Sequence, residues 1–165
     1  MQIINTIFNS LAATPLILQN LLSSIPPEKY KLQRIPGKWS LHEQVCHLVD
    51  AQQILIERFK MFEVQDNPYI KNYDPGTPVD SDKYLKMNME VQLNRFPAIR
   101  SGMIEMLRGY PEIFWSKKGT HENFEPYSTK ILLIHCLNVD YAHLFSIEQL
   151  GLTKPGKEDE IMVVP

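Results

Sequence analysis

Apolar residues recur at spacings of three and four through four long stretches of the chain, the pattern of helices that bury one face. The first stretch covers residues 3 to 22, with Ile3, Ile4, Ile7, Phe8, Leu11, Ala12, Leu16, Leu18, Leu21 and Leu22. Pro15 falls inside it and predicts a kink, or a restart capped by Thr14. The second opens on an S-x-x-E capping box, Ser40 and Glu43, whose side chains satisfy orphan N–H groups of the first turn. It runs from Leu41 to about Phe62, with Leu41, Val45, Leu48, Leu55, Phe59 and Phe62 on one stripe. On this helix His47 lies about 100° around from Leu48 and shares its face with Ala51, Ile54 and Arg58. That face borders the core stripe, where a ligand histidine can sit.

The third stretch takes Asn88 as its N-cap and runs to Arg108, with Val91, Leu93, Phe96, Ile99, Met103, Met106 and Leu107 on its stripe. Pro97 is expected to remove one backbone hydrogen bond and bend it, and Gly109 to stop it. The fourth is capped by Ser128 and runs from Thr129 to Leu150, stopping at Gly151. Its apolar residues cover most of the circumference, as in a helix buried on several sides.

Between the first two helices, Pro26, Pro27, Pro36 and Gly37 mark a connecting loop pinned by Tyr30, Leu32, Ile35 and Trp39. From Glu63 to Lys83 the chain carries Asn67-Pro68, Asp74-Pro75-Gly76 and Thr77-Pro78, the chemistry of turns. So long a loop in a small domain suggests a role, with Tyr69, Ile70 and Tyr73 anchoring it over a pocket. Short helical pieces are expected at Ser81 to Met87 and at Pro111 to Trp115, the latter followed by a polar loop through Tyr127. No alternation is long enough to require a sheet. The expectation is an all-α chain: an antiparallel four-helix bundle over residues 1–152, with a long loop between helices 2 and 3 and a C-terminal tail over 153–165. That tail either stays disordered or docks on the body or on a second subunit, so a homodimer is among the expected assemblies.

Composition narrows the function. A formal net charge of −2 and 22% charged residues offer no electrostatic case for nucleic acid or an anionic membrane. No run approaches the roughly 18 apolar residues of a membrane-spanning helix, and Met1 to Asn5 lack the basic start of a signal peptide. Cys46 and Cys136 form no C-x-x-C and read as buried free thiols, in keeping with a cytoplasmic location. Met87, Met89, Met103 and Met106 read as core packing, and His42, in the first turn of its helix, as exposed.

The stretch Gly37-Lys38-Trp39-Ser40-Leu41-His42-Glu43-Gln44-Val45-Cys46-His47-Leu48 resembles the second-helix entry of the DinB-like (YfiT-like) four-helix bundle superfamily. Asp140-Tyr141-Ala142-His143-Leu144-Phe145-Ser146-Ile147-Glu148-Gln149-Leu150 resembles that family's fourth-helix signature. The motifs are short, but their order and separation together are fairly specific. The resemblance implies a divalent metal, Zn, Ni or Mn, held by one histidine of the second helix and an H-x-x-x-H pair of the fourth. His47 and His143 match two of these ligands and Asp140 the acidic neighbour, while Val139 stands where the third histidine is expected. Val139 is therefore a reason for the metal to be absent, because a catalytic zinc usually has three protein ligands.

Asp140, Glu43 and the loop residue His121 are conceivable substitutes for the third ligand; His135, about 12 Å from His143 along the axis, is too distant to share one ion. Two expectations follow from the resemblance. One is a metal-dependent transferase or hydrolase acting on a small molecule, such as a low-molecular-weight thiol, with Tyr69, Tyr73 and Glu43 shaping the substrate site. The other is a metal-free module of the same fold that binds a small molecule or a protein partner.

Overall fold

The computed structural model describes residues 2–76 and 81–164. The Thr77-Pro78 turn expected above lies outside the described residues. Four long helices dominate: α1 (Gln2–Ser23), α2 (Leu41–Val64), α4 (Met89–Arg108) and α5 (Thr129–Leu152), with a single-turn α3 (Lys83–Lys86) before α4. The capping box forms as the sequence predicts, with Ser40 and Glu43 each satisfying the other's backbone N–H. Asn88 and Ser128 cap α4 and α5 by accepting from the N–H groups of Val91 and Ile131.

Two helices run differently from expectation. α1 continues through Pro15 with no restart. Pro15 has no N–H to offer the Leu11 carbonyl, and the Thr14 hydroxyl stands 2.8 Å from that oxygen in its place. α5 continues past Gly151 to Leu152, because Gly151 serves a close approach and not a stop. A Cβ there would lie 2.3 Å from Ile25 Cδ1. α4 likewise runs unbroken through Pro97.

The bundle has a cyclic order set by its principal packing pairs: α2 lies against α4 and α5, and α1 against the same two helices. Consecutive helices α1 and α2 are therefore diagonal, as are α4 and α5. One apolar cluster joins Ile4 to Leu11, Leu55 to Phe62, Met103 to Leu107 and Leu132 to Cys136. The other joins Leu18 to Ile25, Leu41 to Val49, Phe96 and Leu144 to Leu150. Thus α1 and α5 point one way and α2 and α4 the other, so each helix has one antiparallel neighbour.

This topology explains the long loop. α2 and α4 run in the same direction, so the chain must return along the bundle, about 36 Å for a helix of this length, before α4 starts. On the way it forms β1 (Tyr69–Ile70), which pairs in parallel with β2 (Lys118–His121), itself antiparallel to β3 (Tyr127–Ser128). This small sheet was not expected, since strands of two to four residues carry no readable alternation. His42 is also corrected: it is 5% exposed, covered by the return segment, with Nε2 3.0 Å from the Met87 carbonyl. The tail docks on the bundle. Ile161 is buried among α1, α2 and α5 residues, and Arg34 binds the Leu150, Thr153 and Lys154 carbonyls and Glu158.

Between the apolar clusters lies a polar layer with one residue from each long helix: Thr14, Gln52, Arg100 and Asp140, all within 1% of full burial. Arg100 Nη2 donates to both Asp140 oxygens, at 2.8 and 2.7 Å. Thr14 Oγ1 lies 2.7 Å from Asp140 Oδ2, so its one proton is shared between that carboxylate and Leu11 O. Breaking a buried pair strands a charge, whereas replacing both partners does not. Asp140→Leu or Arg100→Leu alone should cost about 3–5 kcal/mol in urea denaturation at pH 7, and the double replacement clearly less than either. Equal, additive losses would show that the pair is not coupled.

Candidate functional site

The return segment roofs a cavity of about 190 Å³ over the α2–α5 face. α2 contributes His47, Ala51, Ile54, Leu55 and Arg58, the face foreseen from the sequence. α5 contributes His135, Val139 and His143, β2 contributes His121, and the return segment contributes Asn72, Tyr73 and Pro75. Four of the chain's five histidines therefore converge on one space. A wider cavity of about 690 Å³ adjoins it through Asn72, Tyr73, Pro75 and His135, and reaches Trp39, Phe124 and Val164.

His47 and His143 meet edge to face, with ring centroids 4.8 Å apart. Trp39, Tyr84 and Tyr73 close around His47 at centroid distances of 4.6, 5.1 and 6.1 Å, Tyr73 parallel to it within 4°. Capped at Ser40 and packed under this aromatic cage, His47 is 5% exposed, with Nδ1 buried and without a partner among the described residues. Burial pushes its pKa down to about 4. Burial and the neighbouring His47 push His143 down to about 3. Both imidazoles are neutral at physiological pH.

The tautomer of His143 follows from its neighbours. Val164 O can only accept, so the Gln44 Nε2 group faces it, at 3.5 Å. That turns Gln44 Oε1 toward His143 Nδ1, 2.6 Å away. Nδ1 therefore carries the proton and Nε2 keeps its lone pair. The tail is itself held by Val164 N donating to Ser146 Oγ at 2.9 Å. Gln44 and the tail have no signal in the sequence, because the contact joins residues far apart in the chain.

The structure brings His47, His143, Tyr73 and His121 to the cavity and places Asp140, Glu43 and Tyr69 elsewhere. Asp140 points into the polar layer, its oxygens taken by Arg100 and Thr14. Glu43 is spent on the cap, 2.8 Å from Ser40 N and 2.6 Å from Ser40 Oγ. Tyr69 is half exposed on β1 and lines a separate groove. His121 reaches the cavity, with Nδ1 accepting from Asn123 N at 3.0 Å. Cys46 and Cys136 are free and buried, and burial pushes both thiols up to about 12, far from nucleophilic.

The donor set does not fit a three-ligand ion. Val139 occupies the wall one turn before His143, and no group of three or more His, Cys, Asp or Glu among the described residues could hold a metal ion. Two neutral imidazoles are what the pair offers. Arg58, His135 and Asn72 also line the cavity: the sequence puts Arg58 on the His47 face without marking it as a site residue and sets His135 aside for its distance from His143, while Asn72 lies on the return segment, whose course depends on the crossover.

Depressed histidine pKa values make the fold acid-sensitive. Above pH 6.5 both states are neutral and nothing is lost; as pH falls toward about 4 the unfolded chain takes protons that native His47 and His143 refuse. At pH 5 this pair should account for roughly two protons taken up on unfolding, a slope of about 2.7 kcal/mol per pH unit. Urea denaturation of the wild type and of His47→Gln/His143→Gln across pH 4–7 should show the slope falling in the variant. For the tautomer, ¹⁵N imidazole NMR should find His143 protonated at Nδ1. Gln44→Leu should convert it to a mixture, and Ser146→Ala, which loosens only the tail, should do so partly. A wild-type ring protonated at Nε2 would refute the assignment.

Comparison with known proteins agrees with this architecture. The solved structure of YfiT from Bacillus subtilis, described as a probable metal-dependent hydrolase with an unusual four-helix bundle topology, superposes with a TM-score of 0.74. The match covers 89% of this chain and 85% of that one at 16% identity, so it establishes the fold. A protein of Oceanobacillus iheyensis, OB0782, provisionally named a metal-dependent hydrolase, is 26% identical over 106 residues. That alignment takes in 64% of this chain and spans 61% of the relative's length. The model of the DinB superfamily matches residues 10–145, most of the bundle, and the chain belongs to that superfamily.

Proposed function

We propose that the His47–His143 cavity is where this chain acts, and that it binds a small polar molecule through neutral imidazoles without a three-histidine metal centre. The observation that supports this reading is Val139 in the cavity wall, at the place of the missing ligand, with Asp140 and Glu43 both engaged elsewhere. His143 Nε2 is a hydrogen-bond acceptor in this arrangement, and Tyr73 and Asn72 add polar contacts at the roof.

A second reading keeps the metal. It is favoured by the juxtaposition of the His47 and His143 rings on one cavity and by the relatives' names as metal-dependent hydrolases. In that reading the two imidazoles would hold a divalent ion, with a hydrolytic reaction or a transfer using a low-molecular-weight thiol. A cytoplasmic setting is supported by the two buried free thiols. A homodimer is supported by a stripe of partly exposed Ile131, Ile134, Tyr141 and Phe145 along one face of α5.

Metal content separates the two readings. Purified untagged protein supplied in turn with Zn²⁺, Ni²⁺ and Mn²⁺ should hold well under one ion per chain by mass spectrometry. Val139→His should bring it near one. Wild type that holds about one ion and loses it in His47→Ala would establish the metal-dependent reading instead.

A further inference from the structure

The chain has three strongly buried arginine side chains, and two have carboxylate partners: Arg34 with Glu158 and Arg100 with Asp140. Arg58 differs. It is 8% exposed, yet no ion pair forms to it among the described residues, and its one hydrogen bond runs from Nη2 to the Lys71 carbonyl at 2.8 Å. A guanidinium is never deprotonated in a protein, so this charge persists at every working pH. Its remaining N–H groups are not sealed in the core, and the side chain lines the histidine cavity.

The surroundings do not neutralise it. Among the described residues, the other titratable groups on the cavity wall are His47, His121, His135, His143 and Tyr73, none of them an acid; Glu57, in the outer groove that Arg58 also lines, is exposed and accepts from Gln53. After burial, the Arg58 charge is a further cause of the lowered pKa values of His121 and His135. Glu122 lies nearby on the β2 side, but it is exposed and its Oε2 accepts from Asn72 N at 2.9 Å. A largely buried cation with no ion-pair partner among the described residues is costly, and a cavity is where an external group can supply one.

We propose that Arg58 is an anion receptor, and that the cavity takes the carboxylate or phosphate group of a small molecule. A planar guanidinium with free N–H groups suits either oxyanion. At about 190 Å³ the chamber lies below the ~300 Å³ lower end of ordinary ligand sites, so it admits the charged group and little more. The rest of the molecule extends into the adjoining 690 Å³ cavity past Tyr73 and His135. This rests on the reading of the His47–His143 cavity as the functional centre and deepens it by naming the ligand's charge.

Acetate, its neutral isostere acetamide, and inorganic phosphate serve as probes, titrated at pH 7.5 into wild type, Arg58→Gln and Arg58→Lys. The readout is the shift of the His121 and His135 ring resonances, the imidazoles that feel the Arg58 charge, with His47 and His143 followed alongside. Acetate or phosphate should bind roughly tenfold or more tighter than acetamide, the better of the two identifying the oxyanion. Arg58→Gln should lose that preference and melt at a higher temperature than wild type, having shed an unpaired buried charge, and Arg58→Lys should retain part of it. Acetate and acetamide binding equally would overturn the anion receptor while leaving the cavity reading intact. A preference that survives in Arg58→Gln would overturn the role of Arg58. If no probe at any concentration moves any of the four rings, both the receptor and the cavity reading fall.

Discussion

The Arg100–Asp140 ion pair fixes the register of the bundle. It sits in a polar layer between two apolar clusters; Thr14 joins it by a hydrogen bond and buried Gln52 fills the α2 side while donating to its own Leu48 carbonyl, so α1, α4 and α5 are tied at one height. Apolar contacts are non-directional and tolerate sliding, whereas a buried carboxylate accepts only one arrangement of donors. The layer is not fully satisfied, since Arg100 Nε and Nη1 have no partner among the described residues. Such a pair contributes little net stability, and its value is specificity of alignment. With Asp140 held, His143 three residues on is set opposite His47, and Val139 one residue back is set in the cavity wall.

Direction of travel does the rest. Because α2 and α4 run the same way, the segment between them must recross the bundle, and it crosses over the α2–α5 face. That crossing supplies Asn72 and Tyr73 as a roof, and the parallel pairing of β1 with β2 carries His121 to the same rim. A bundle in which neighbouring helices alternated in direction would need no such segment and would have no roof. The cavity is a consequence of topology, and its chemistry is a consequence of which α2 residues lie beneath.

Much of this was legible in the sequence. Capping boxes and periodicity are local, so the four helices and their starts were readable, and the face shared by His47, Ala51, Ile54 and Arg58 proved to be the cavity floor. The restart offered at Pro15 does not occur, for a local reason as well: the Thr14 hydroxyl takes the Leu11 carbonyl through a side chain, which a backbone rule does not count. Gly151 read as a stop because nothing in its neighbourhood announces Ile25, over a hundred residues away. Asp140 and Glu43 show the limit most clearly. Residue type and spacing made them plausible ligands, but a carboxylate's role depends on which cation or N–H reaches it first, and that is decided by packing.

The aromatic cage and the missing ligand belong to one physical argument. Trp39, Tyr73 and Tyr84 exclude water from His47, and exclusion of water is what keeps both imidazoles neutral. A neutral, lone-pair-bearing imidazole is equally what a metal requires and what a hydrogen-bonding ligand requires, so neutrality alone does not choose between them. The number of donors weighs toward the second. Two imidazoles leave a divalent ion dependent on water or on the ligand for its other positions, and Arg58, the one fixed charge among the described lining residues, favours an anion over a cation. The coordination count and the unpaired charge of Arg58 thus support one proposal, an anionic small molecule seated against Arg58 beside His121 and His135.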